Sequence, residues 1–323
     1  MSYEIDARML ADWQSCRRRF LLGVDWRPIR WRPRSLFVAC LRRGIVAVAN
    51  GTDPEIAAVE ARTEFMQAAA NPGLDMIGGS PYAIAREWCV MFDTILLAIK
   101  PPGPLAEVPA AKLNSQFSWQ VRAWEEGGEL HRWIATDQWT EDHLSRELHS
   151  WAVIGDIVAT GKPMTVHVVE IGRESHGRRV SPWVRAYRNP AMPGLRYRFT
   201  RSSASEPVWL VDLPGETPRE WVEEMRKGGV TERLVHHVPV MVPGPAACAD
   251  IAGQILREGI AMRDAETDRE SIGWRALPMS RGACDLWSPC VWQACCYGER
   301  TTSPADLGLY QLRGKVYSEA ASV

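Results

Sequence analysis

The sequence predicts an α/β protein: a mixed central sheet flanked by helices, a helical N-terminal elaboration ahead of it and a cysteine-rich C-terminal tail behind it. Three observations carry that reading. The first third is punctuated as capped helices, and the middle holds alternating runs around a strand–helix–strand unit. The third is that four of the eight cysteines fall within thirteen residues of an irregular tail. A chain of 323 residues with 46% apolar and 24% charged residues has enough material for a sizeable core. It divides into a helical region over 1–105, an α/β core over 106–215 and C-terminal helices with the tail over 216–323.

Each element has a local cause. Leu36 to Asn50 reads as a helix closed by Gly51, and Asp53-Pro54-Glu55 starts the next, with proline where its missing N–H costs least; this helix carries Ile56, Val59, Phe65 and Met66 toward Ala70. Ser80-Pro81 opens a third helix, which Pro101-Pro102 stops. Phe117 to Val121 alternates like a strand, Glu126-Gly127-Gly128 turns, and Leu130 to Thr136 returns as its hairpin partner. Thr140-Glu141-Asp142 caps a helix predicted to run to Thr160, where Gly161-Lys162-Pro163 ends it before a strand over Met164 to Ile171. Strand-like runs follow at Trp183 to Tyr187 and Leu195 to Phe199, then helices from Pro218 and over Ala246 to Asp264.

Composition limits the function classes. The start MSYEIDARML puts Glu4 and Asp6 where a secretory leader carries positive charge, and Asp93 interrupts the longest apolar run, so a cytosolic protein with no membrane partner is expected. In that compartment clustered thiols point to metal ligation ahead of disulfides. The net charge of −1 conceals two basic stretches: residues 1–50 carry ten arginines against four acids, and residues 171–201 carry eight against Glu174 alone. Such local charge is what a polyanion senses. Arg30, Arg32 and Arg34 lie in a segment that its prolines should extend, and Arg196 and Arg198 alternate with Tyr197 and Phe199 so that a strand places both arginines on one face. These five are the candidate DNA contacts.

Cys284, Cys290, Cys295 and Cys296 stand in ACDLWSPCVWQACC, a loop-forming stretch suited to converging thiolates on a metal. Adjacent Cys295 and Cys296 rarely serve one centre, so the loop supplies three ligands, Cys284 and Cys290 with Cys295 or Cys296. Cys16 is the natural fourth, set among Gln14, Ser15 and Arg17 to Arg19, whereas Cys40, Cys89 and Cys248 sit among apolar helix residues and read as packing. Zinc is the alternative centre; the absence of any CxxC pair favours a 4Fe–4S cluster. A lone N-terminal cysteine in Trp13-Gln14-Ser15-Cys16-Arg17-Arg18-Arg19-Phe20 joined to the triple Cys284, Cys290 and Cys296 resembles the iron–sulfur branch of the PD-(D/E)XK nucleases. That branch includes AddB-type helicase–nuclease subunits, CRISPR-associated RecB-like exonucleases and phage exonucleases. The run from His149 to Pro163, ending Thr160-Gly161-Lys162-Pro163, is similar to the helix that follows the catalytic strands there. The resemblance implies a restriction-endonuclease-like core, a structural cluster clamping the two ends of the chain, DNA as partner through single strands or ends, and a helicase or recombination protein as a further partner.

The catalytic part of that pattern is missing. Those nucleases hold Mg²⁺ with an acid on one strand and an acid-x-Lys on the next. Here the residues two places before the five lysines are Ala98, Ala110, Thr160, Met225 and Arg313, so no D/E-x-K exists. The acids nearest the expected place are Asp137 and Glu141, beside Asp142, His143 and Glu147, and these are the candidate Mg²⁺ site if cleavage occurs. Glu141 and Asp142 are equally what a helix N-terminus favours. The combined expectation is a DNA-binding, weakly cleaving or inactive member of the superfamily; a zinc-stabilised adaptor that binds another protein is the alternative.

Overall fold

The computed structural model describes residues 2–28, 33–69, 81–136, 140–175, 178–180, 183, 186–187, 195–199, 208–211, 218–272 and 310–312. Capping chemistry sets the early elements. After strand β1 (Tyr3–Ile5), Asp6 accepts the Met9 amide at 2.7 Å and starts α1 (Ala7–Ser15), which is followed by α2 (Arg17–Asp25) and β2 (Trp26–Pro28). Pro33 opens α3 (Pro33–Ala49), so Arg34 stands in a first helical turn and not in an extended segment. Gly51, at φ 93°, ends this helix region, and Asp53 accepts the Glu55 amide at 2.8 Å to start α4 (Pro54–Ala69). Then comes α5 (Pro81–Ala98). These three helices bury one aromatic cluster, with Phe37 4.5 Å from Phe92 and 4.6 Å from Trp88 between ring centres. Each such pair adds about 0.5–1.5 kcal/mol beyond its buried area.

The middle of the chain gives β3 (Ala106–Glu107), β4 (Ala111–Lys112), β5 (Phe117–Trp119), β6 (Trp124–Glu126), β7 (Glu129–Thr136), α6 (Glu141–Leu148), α7 (Trp151–Thr160) and β8 (Met164–Glu170). The hairpin partner of β7 differs from the one the sequence predicts. The turn at Gly127-Gly128 joins β7 to β6, Trp124 facing His131, while β5 pairs in parallel with β1 and antiparallel with β4 in a sheet of its own. Phe117, Ser118 and Trp119 are all buried, so β5 is covered on both faces and its alternation carries no register information. The predicted single helix up to Thr160 is also two. Ser150 is extended, with ψ 150°, and His149 Nδ1 donates to the Ser145 carbonyl at 2.7 Å, which closes α6 before α7 begins. Gly161 at φ 69° stops α7 as expected.

Strands β7 and β8 pair in parallel across this helical crossover, Leu130 opposite Met164 through Thr136 opposite Glu170. Further on lie β9 (Arg173–Ser175), β10 (Arg178–Val180), β11 (Ala186–Tyr187), β12 (Leu195–Phe199), β13 (Val208–Val211), α8 (Pro218–Lys227), α9 (Thr231–Leu234), β14 (Val235–Val240), α10 (Pro245–Ile272) and β15 (Tyr310–Leu312). The main sheet is mixed, in the order β14-β8-β7-β6-β3. Period-two alternation splits it cleanly. Leu130, Met164, Val166 and Val168 face the layer formed by α1, α2, α7 and α10; Trp133, Val169 and Ile171 face α3, α4, α5 and α8. Gly155 on α7 lets that helix touch Trp119, since a Cβ there would lie 2.2 Å from the indole. Among the described residues no helix is long and apolar enough to cross a membrane.

Candidate functional site

Cys16 occupies the break between α1 and α2. Its backbone is extended (φ −165°, ψ 113°), its amide donates to the Asp12 carbonyl at 2.9 Å and its carbonyl accepts from the Phe20 amide at 3.1 Å, so the thiol sits at the start of α2. The residue is 6% exposed. Trp13 meets Phe20 edge to face at 5.4 Å, Arg17 lies over the Trp13 ring at 4.9 Å, and Arg19 holds the buried Asp12 at 2.6 Å. Cys284, Cys290, Cys295 and Cys296 lie outside the described residues, but both flanks of their segment are described. On the upstream side, α10 is tied to the N-terminal elements by Trp13 Nε1, which donates to Glu258 at 2.8 Å, and by the Tyr3 hydroxyl, which donates to Glu266 at 2.6 Å. On the downstream side, β15 pairs with β2, Tyr310 opposite Pro28 and Leu312 opposite Trp26. Cys40 and Cys89 are buried in helix packing, and burial pushes the Cys40 thiol up to about 11, as an inert core thiol requires. Cys248 donates to the Pro243 carbonyl at 3.3 Å.

Glu141 is exposed in the first turn of α6, Asp137 lies outside the described residues, and Glu147 turns to Arg132 at 3.5 Å. Among the described residues no group of three His, Cys, Asp or Glu side chains is placed to hold a metal ion. An acid–lysine pair does form across the sheet, where Lys162 donates to Glu125 of β6. Of the candidate DNA contacts, Arg30 and Arg32 lie outside the described residues and Arg196 and Arg198 fall on β12, where the register shifts between Leu195 and Tyr197.

Two polar centres inside the sheet went unseen in the sequence. In the first, three imidazoles line up on β7, β8 and β14: His131 Nδ1 lies 3.0 Å from His167 Nε2, and His167 Nδ1 lies 2.7 Å from His237 Nδ1. His167 is 5% exposed and stacks on Trp133 with ring centres 4.1 Å apart. Burial, then His237 and His131, hold His167 down at about 3, and burial lowers the other two as well. The two nitrogens of His167 point to different neighbours, so the row is a hydrogen-bond chain and not a three-nitrogen cage for one ion. The neighbouring His236 bonds Glu170 on the opposite face at 3.0 Å.

In the second, arginines gather where β7 runs past its short partner. Strand β6 pairs only as far as His131, and just beyond it Arg42 Nε of α3 donates to the Trp133 carbonyl at 2.6 Å. Arg132 on β7 is 8% exposed; its Nε lies 3.5 Å from the Glu147 carboxylate without a hydrogen bond, and its buried Nη1 has no hydrogen-bond partner. Arg122 approaches the same region, its amide donating to Asp156 at 3.2 Å and its guanidinium to Asp6 at 2.6 Å. Burial and then Arg132 push the Arg42 guanidinium down to about 9. The other Asp156 oxygen accepts from Trp119 Nε1 at 2.7 Å, and burial holds this carboxyl above its usual range.

No family model matches the chain, and no curated protein or solved structure does either. The reading of function therefore rests on the residues. The fold pairs β15, beyond the cysteine-rich segment, with β2, packs α10, ahead of it, along α1, and leaves Glu141 exposed on α6. It also draws Arg42 and Arg132, far apart in sequence, to one strand edge. Nothing local announces that convergence: Arg132 in His131-Arg132-Trp133 is an ordinary strand residue until the end of β6 is known.

Proposed function

We propose that this protein binds nucleic acid as a PD-(D/E)XK-like member of the iron–sulfur branch, with Cys16, Cys284, Cys290 and Cys296 holding a structural 4Fe–4S cluster. The observation that carries the proposal is the return of the tail: β15, beyond the cysteine-rich segment, pairs with β2, and α10, ahead of it, packs along α1, so the chain on both sides of that segment is joined to the N-terminal region that carries Cys16. Bound there, the cluster supplies cross-links between distant parts of the chain, and its ligation removes unfolded-chain entropy. The mixed sheet, with its hairpin and parallel helical crossover, supports a restriction-endonuclease-like core. The lack of any D/E-x-K and the exposed position of Glu141 support binding without efficient cleavage, Mg²⁺ having a role only if Asp137 and Glu141 form a site.

Anaerobic purification tests this directly. The expected protein is brown, contains about four irons and four sulfides per chain as that cluster type requires, and loses both in Cys16→Ala and in Cys290→Ala. A colourless protein containing zinc, or full iron content in Cys16→Ala, overturns the cluster assignment. Incubation of labelled DNA with Mg²⁺ or Mn²⁺ is expected to leave it intact; degradation that disappears in Asp137→Ala would restore catalysis.

A further inference from the structure

We propose that the arginines converging on β7 beyond its pairing with β6 form an oxyanion site, with the Arg132 fork as its centre and Arg42 as its wall, that takes a phosphate group. Burial of guanidinium groups is costly unless carboxylates or phosphates compensate them, and leaving polar nitrogens unbonded adds to the cost. Here Arg42 is spent on a backbone carbonyl, and Arg122 is matched by Asp6. Arg132 meets Glu147 through Nε at 3.5 Å without a hydrogen bond, and its buried Nη1 has no hydrogen-bond partner. The fork thus keeps a donor open to a further acceptor, and Asp156 is turned elsewhere, its two oxygens accepting from Trp119 and from the Arg122 amide.

A guanidinium fork matches a phosphate's paired oxygens better than it matches a point charge. The Glu147 side chain is 31% exposed while that of Arg132 is 10% exposed, so Glu147 is the group able to swing outward and yield the fork to a stronger anion. The site does not depend on the nucleic-acid reading; that reading only identifies the phosphate as a phosphodiester of DNA.

The experiment uses the full chain and thermal unfolding, with inorganic phosphate compared to chloride at matched ionic strength, and a short single-stranded oligonucleotide as a second probe. Near-saturating phosphate should raise Tm by about 2 to 4 °C over chloride. Arg132→Met should lose that response, and in chloride it should melt no lower than the wild type, because a buried, poorly compensated charge has been removed. Glu147→Gln should enlarge the response, which a merely structural arginine would not produce; it also decides the matter if Arg132→Met does not fold. A phosphate response absent from the wild type, or unchanged in Arg132→Met and Glu147→Gln, overturns the proposal, and DNA binding that persists in that case leaves the nucleic-acid reading standing. An Arg132-dependent response to phosphate with no response to the oligonucleotide keeps the site and removes DNA as its ligand.

Discussion

Acid should weaken this fold through His167, and the size of the effect follows from its surroundings. The ring is 5% exposed, lies flat on Trp133 and has both nitrogens engaged by His131 and His237, so the folded protein keeps it neutral down to about pH 3. In the unfolded chain it takes up a proton near pH 6.5. Between those values the unfolded state binds more protons, so stability is full above about pH 6.5 and falls as pH drops toward 3. From near pH 7 to near pH 5 the loss attributable to this one residue is about 2 kcal/mol, whatever the exact folded value below about 4. Other groups titrate too: Glu126 and Glu129 face His131, His236 lies by His237, and Asp12, Asp93 and Asp156, raised by burial, shift stability in the opposite sense. Their contributions cancel in a difference between variants. Urea unfolding followed by circular dichroism at both pH values should show the wild type losing about 2 kcal/mol more than His167→Gln. Equal losses would refute the claim that His167 must stay neutral.

Two packing predictions accompany it. Gly155→Ala should cost about 3 kcal/mol, because the new Cβ would stand 2.2 Å from an indole that Asp156 holds in place, whereas Gly259→Ala on α10 should cost under about 1 kcal/mol, because its obstacle is the terminal methyl of Ile5. Comparable destabilisation of the two, measured in parallel urea titrations, would contradict that distinction. Asp53→Ala removes the acceptor for the Glu55 amide at the start of α4 and should lower stability by about 1 kcal/mol; no change in the unfolding midpoint would mean that the cap contributes nothing there.

What the sequence revealed was mostly local. Pro54 after Asp53, Pro81 and Gly161 mark helix ends because proline and glycine restrict or free the backbone whatever surrounds them, and each boundary appears within a residue or two of its expected place. The parallel pairing of β7 with β8 follows from a strand, a helical crossover and a second strand. The partner of β5 is not legible in the sequence, because three consecutive buried residues hide which face is which. The helix break at His149-Ser150 has no proline or glycine to announce it. Register also governs the polar centres. His131, His167 and His237 stand on three strands, and only their alignment shows that the rings touch. His236 and His237 lie at the second and third positions of β14, with their two side chains committed to opposite faces.

The pairing of β2 with β15 also bears on how the molecule is made. During synthesis Trp26 to Pro28 leave the ribosome long before their strand partner, Tyr310 to Leu312. The core helices and the parallel crossover can assemble from what has already been translated, whereas this ribbon waits for Tyr310 to Leu312. A message cut short before Tyr310 would therefore yield a product with β2 unpaired and its strand edge open, the kind of flaw that protein quality control recognises.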